Sequence, residues 1–169
     1  MIKDLFNGMG VKLDSSLKFI KPDSAFQFPG KDERLIVTGK GELLINDIGK
    51  RMNWFSLKDN QQTNFRIIDD VDAATIFIYR ELVNYPLNEQ PSFINHNELN
   101  LEINNKIREY KPYSETLLTI HMDGSKNLVK IYARNLDEDT QEYLWCEIAN
   151  NKTVRYFIGV DIHNSQIIV

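Results

Sequence analysis

Two runs rich in aromatic and β-branched residues, "EYLWCEI" (142–148) and "VRYFIGVDI" (154–162), flank the polar stretch "ANNKT". That pattern admits little except a β-hairpin. Side chains alternate between the faces of a strand. Leu144, Cys146 and Ile148 therefore share one face, and Tyr143, Trp145 and Glu147 the other. On the second run, Val154, Tyr156, Ile158, Val160 and Ile162 lie opposite in sense to Arg155, Phe157, Gly159, Asp161 and His163. A loop of odd length centred on Asn151 sets Ile148 against Val154, Cys146 against Tyr156, Glu147 against Arg155 and Trp145 against Phe157. This register joins two apolar rows and creates charge and aromatic cross-strand pairs, each contributing roughly 0.2–1 kcal/mol. A two-residue loop would set Cys146 against Arg155 and mix the faces, so burial decides for the odd loop.

The same register removes a tempting enzyme reading. Cys146, Asp161 and His163 resemble a thiol-based catalytic set when read along the chain. His163 lies well beyond Tyr156, the partner of Cys146, by roughly 20 Å of strand, and on the other face. A Cys–His dyad needs hydrogen-bond contact. Cys146 reads as a small core hydrophobe instead.

Strand signals dominate the rest of the chain. "SAFQF" (24–28), "RLIVTGKGELLIN" (34–46), "MNWFSL" (52–57) and "FRII" (65–68) read as strands, the second bulged at Gly39 and Gly41. "ATIFIYRELVNY" (74–85) reads as a central strand, with a helix over 73–83 as the competing reading. "LNLEI" (99–103) and "NKIREY" (105–110) follow, and "SETLLTIHM" and "NLVKIYAR" flank Asp123-Gly124, the strongest hairpin signal present. Ile2, Leu5, Phe6 and Met9 have the spacing of a helical face. The expectation is one domain over residues 1–169, mainly β with α+β possible. Its architecture is expected to be an antiparallel curled sheet or β-sandwich with a short N-terminal helix.

At 169 residues, with 42% hydrophobic and 11% aromatic residues, the chain can build a core and is not expected to be disordered. A lone cysteine permits no internal disulfide, no apolar run reaches bilayer length, and the first ten residues make a poor signal peptide. A cytoplasmic location and no transmembrane segment are expected. The net charge of −4 weighs against nucleic acid, yet residues 1–58 hold ten Lys/Arg against seven Asp/Glu, and 59–169 hold ten against seventeen. Opposite halves of this kind attract within or between molecules.

Candidate chemistry is sparse. His96, His121 and His163 fall on separate segments without metal-ligand spacing, so neither a metal nor a cofactor is expected. "GKGE" (39–42) lacks the pattern of a phosphate-binding loop. Asp69, Asp70 and Asp72, with Glu81 further on, could supply general acid and base, which makes a small acid-dependent hydrolase the alternative function. Trp54, Tyr79, Tyr85 and Trp145 are candidates for a binding surface, because Trp and Tyr anchor interfaces. Burial in the core is the competing reading for all four.

The order of "GKGELLINDIGKRMNWFSL", "ATIFIYRE" and "EYLWCEIANNKTVRYFIGVDI" resembles the YjfK-like proteins, a bacterial family, over most of the chain. The resemblance implies a cytoplasmic β-rich domain encoded near membrane-stress genes, and it implies no catalytic residue. The expected function is a non-catalytic protein-binding or accessory module, in envelope-stress or phage-related biology, with a protein partner or self-association through uncovered sheet edges.

Overall fold

The computed structural model describes residues 4–14, 16–17, 23–45, 49–70, 73, 75–82, 97–149 and 153–169. Strands follow one another as β1 (Gly10–Leu13), β2 (Leu35–Ile45), β3 (Lys50–Lys58), β4 (Asn64–Asp70) and β5 (Thr75–Glu81). Then come β6 (Leu99–Ile103), β7 (Lys106–Pro112), β8 (Leu117–His121), β9 (Lys126–Asn135), β10 (Gln141–Ile148), β11 (Val154–Ile162) and β12 (Ile167–Ile168). All the pairings are antiparallel.

Eight of these strands close on themselves. β2 to β5 pair in sequence order, β5 pairs with β11, and β11, β10, β9 and β8 pair in turn. β8 then returns to β2, setting Gly41 opposite His121 and Leu44 opposite Leu118. The result is a closed barrel, which corrects the expected curled sheet or sandwich. Closure removes the free edges that such a sheet would expose. β2 and β11, whose low charge would make them adhesive as free edges, are each paired on either side.

The expected N-terminal helix is also corrected. Residues 7 and 8 form a turn, with Met9 N–H donating to the Phe6 carbonyl at 3.0 Å and Gly8 at φ +92°. The backbone here serves the sheet instead: Gly8 N–H donates to the Val37 carbonyl, and Val37 N–H to that of Met9. Glycine at positions 8 and 10 weakens a helix and favours that pairing. Leu5 is buried while Phe6 is exposed, and Ile2 lies outside the described residues.

Other expectations stand or shift locally. Residues 75–81 form a strand, not a helix. The β10–β11 register is the one derived above, with Cys146 opposite Tyr156 and Trp145 opposite Phe157. The ladder of β2 with β3 slips between Val37 and Gly39, a bulge where the glycines suggested one. "SAFQF" joins no ladder; Ala25 and Phe26 are buried against the barrel's outer wall.

β4, β10 and β11 bury both faces, against two separate cores, whereas β2 alternates buried with exposed positions. Outward side chains such as Phe65, Ile67, Ile76, Ile78, Leu144, Cys146, Tyr156 and Ile158 pack under a second layer. That layer includes Leu5, Val11 and Phe26 together with Leu99, Leu101 and Ile103 of β6. Inward side chains, including Leu43, Trp54, Ile68, Tyr79, Ile131, Trp145 and Phe157, form the barrel interior. Eight strands enclose a space that side chains can just fill, or that can hold one small ligand. Both outcomes occur here, at opposite ends.

Candidate functional site

One end of the barrel is filled around a buried charge. Arg66, on an inward position of β4, is 3% exposed and its guanidinium stacks on three rings. Its Cζ lies 4.3 Å from the Phe157 centroid, 4.5 Å from that of Trp54 and 5.1 Å from that of Trp145. Such contacts strengthen when desolvated. Its Nη1 donates to Glu147 Oε1 at 2.5 Å, and Trp145 Nε1 donates to the same oxygen at 3.0 Å. Glu147 Oε2 accepts from Asn127 Nδ2 at 2.8 Å and from His121 Nε2 at 2.9 Å. Trp54 Nε1 donates to Thr119 Oγ1 at 2.8 Å.

Burial by itself would raise the carboxyl of Glu147. The His121 hydrogen bond, the charge and hydrogen bond of Arg66, and the Asn127 amide together hold it far below the usual carboxylate range. Burial lowers the Arg66 guanidinium, and Glu147 acts against that shift. The pair is satisfied on every side, which a buried ion pair requires if it is not to destabilise the fold. Just outside it, Arg155 donates to Glu81, which also accepts from Asn64 at 3.0 Å. The cross-strand position of Glu147 and Arg155 is as derived, but each carboxylate and guanidinium takes a partner from another strand.

The other end is open. A cavity of about 300 Å³ is lined by the inward side chains Leu43, Met52, Ile68, Phe77, Leu117 and Ile131, with Tyr79 among them. It exists because β8 begins only at Leu117, while β9 beside it runs on to Asn135. Beyond Val129, β9 exchanges its β8 partner for β7, which meets it at Tyr132 and Ala133. The connecting residues 113–116 form the rim, tied down by Tyr113 and Ser114 N–H groups that donate to the Ile131 carbonyl.

Two inward glycines shape this interior. A β-carbon at Gly159 would run into the Tyr79 ring and come within 2.8 Å of the Ile78 carbonyl oxygen. One at Gly41 would run into the Trp54 ring and come within 2.6 Å of the Ile120 carbonyl oxygen. Bare backbone at these positions lets the two large rings lie flat against the wall.

The residues singled out from the sequence are distributed as follows. Trp54, Tyr79 and Trp145 are buried in the barrel, where Tyr79 and Trp145 meet edge to face at 5.4 Å. Tyr85 and Asp72 lie outside the described residues. Asp69 and Asp70 are adjacent on β4 and so face opposite ways; Asp70 pairs with Lys50 at 2.7 Å and lines the cavity. Glu81 sits at the far end of the β4–β5 ladder, roughly 20 Å from Asp70. Of the carboxylates considered for hydrolysis, the described Asp70 and Glu81 are not brought together. Among the described residues no group of His, Cys, Asp and Glu could hold a metal ion, and no helix is long and apolar enough to cross a membrane.

Reading the sequence missed Arg66 and the cavity. "FRII" places an arginine in an apolar strand, which is a usable signal for a buried charge. The cavity had no local signal, since it depends on where β8 stops. Comparison with protein families, with curated proteins and with solved structures finds no match to this chain.

Proposed function

We propose that this chain is a non-catalytic binding protein whose ligand is a small, largely apolar molecule held inside the barrel. The observation that carries this reading is the cavity of about 300 Å³ at the end opposite the Arg66–Glu147 plug. Ligand sites favour the mouths of β-barrels and are lined by apolar and aromatic side chains with few polar groups. This cavity has that character, and its volume is about twice the ~150 Å³ that accommodates a benzene molecule. Asp70 and Glu81 lie at opposite ends of the β4–β5 ladder, which weighs against the hydrolase alternative. The resemblance to YjfK-like proteins, which implies no catalytic residue, agrees with a binding role.

The test is a titration of the protein with small neutral apolar molecules such as toluene, cyclohexanol and octanol. Saturable binding is expected, read by calorimetry and by a rise in melting temperature. Ile131→Phe and Leu117→Phe, which fill the cavity, are expected to abolish it while the fold persists. Absence of saturable binding by the whole panel overturns the reading.

A further inference from the structure

The walls of the cavity also say which polar end a ligand would carry. Tyr79 is 2% exposed and lines the cavity, and no hydrogen bond joins its hydroxyl to another described residue. A ligand group in the cavity that met this hydroxyl would gain a hydrogen bond to it. The two other tyrosines at this end are already engaged with one another. The Tyr113 and Tyr143 rings meet edge to face at 5.1 Å, and Tyr143 also packs against Phe77 at 5.1 Å.

The charge of the lining has one sign. It includes two carboxylates, Asp70 and Glu115, and no Lys, Arg or His. The cation beside it, Lys50, is held by Asp70 at 2.7 Å. Asp161 lies on the inward row of β11, opposite Phe77. A ligand carboxylate would meet Glu115 and Asp70, with Lys50, the cation beside the cavity, already bound by Asp70. A ligand ammonium would meet carboxylates and the faces of Phe77 and Tyr79, which attract cations.

Resting on the binding role proposed above, we infer that the barrel selects hydrophobic amines: an apolar body fills the pocket and an ammonium or other donor group meets the Tyr79 hydroxyl beneath the acidic rim. The apolar part of the site would accept an alcohol of the same length less tightly, and a carboxylate least of all.

The test compares octylamine, octanol and octanoate, matched in length and differing in head group, by calorimetry at neutral pH and low salt. The amine is charged there and the acid ionised. Octylamine is expected to bind about tenfold or more tighter than octanoate, with the gap shrinking as salt rises. Tyr79→Phe is expected to weaken octylamine about three- to tenfold and to leave a purely apolar ligand such as toluene unaffected. Asp70→Asn with Glu115→Gln is expected to narrow the gap between amine and carboxylate, with circular dichroism confirming that these variants fold. Equal or tighter binding of octanoate, with toluene still bound, overturns the amine assignment and leaves the binding role intact. Failure of toluene and all three octyl compounds to bind overturns both.

Discussion

Arg66 on β4 and Glu147 on β10 form an ion pair inside the barrel, bridging strands that are not neighbours in the sheet. Each side chain is at most 4% exposed. Loss of one partner would leave the other charged and enclosed. Glu147→Leu or Arg66→Met alone is therefore expected to destabilise the fold by about 3–5 kcal/mol. The double variant is expected to recover much of that loss, because two apolar side chains can replace a satisfied pair. Denaturant midpoints of the two single variants and the double form the cycle that measures it.

Acid should unfold the protein through the same carboxylates. Glu147 and Glu142 both titrate below the ordinary range in the folded chain. For Glu142, burial acts upward and is outweighed by hydrogen bonds from Arg134, Tyr110 and Ser24. A depressed folded value means that the stabilisation is fully present above the unfolded value of about 4.3 and is lost as pH falls further. Stability is expected to be flat from neutral pH to about 5 and to decline steeply below about 4. In Glu142→Gln the decline should be shallower, as urea midpoints against pH would show.

Gly159 and Gly41 offer a test of packing without charge. Ala at either position must displace an aromatic ring and crowd a backbone carbonyl on the adjacent strand. Each substitution is expected to cost about 1–3 kcal/mol through overpacking. Gly159→Ala should in addition lower ligand affinity, since the Tyr79 ring would be forced toward the cavity. Thermal melts and ligand titrations of the two variants separate the effects.

Cys146 is fully buried on the outer face of β10, between barrel wall and second layer. Its thiol should resist a bulky disulfide reagent until the protein is unfolded, and Cys146→Ala should cost about 1–2 kcal/mol by lost packing. Rapid labelling of the native protein would contradict this placement.

Local features of the fold were legible and global ones were not. The β10–β11 register followed from alternation on the two sides of one short loop, and the β8–β9 hairpin from Asp123-Gly124, whose glycine has φ +86°. Closure was out of reach, because the pairing of β5 with β11 and of β2 with β8 joins segments that share no local signal. Trp54, Tyr79 and Trp145 were open to two readings for a related reason. In a sheet with one wet face an aromatic on the second face is exposed, whereas here both faces are covered. The helical spacing of Ile2, Leu5, Phe6 and Met9 misled because Gly8 and Met9 supply backbone groups to Val37 instead.

Closure by β8 bears on the order in which the molecule assembles. β2–β5 and β8–β11 are each built from sequence neighbours joined by short connections, so either set can form early and alone. The two ladders that seal the ring, β2 with β8 and β5 with β11, each join residues across nearly half the chain, the kind of contact that comes late and sets the folding rate. Arg66 belongs to the first set and Glu147, Thr119 and His121 to the second, so until the two sets join the Arg66 guanidinium and the Glu147 carboxylate remain hydrated. A half-assembled chain thus presents unpaired charges along with its aromatic surface, which discourages the sticking together of intermediates that exposed hydrophobic faces invite.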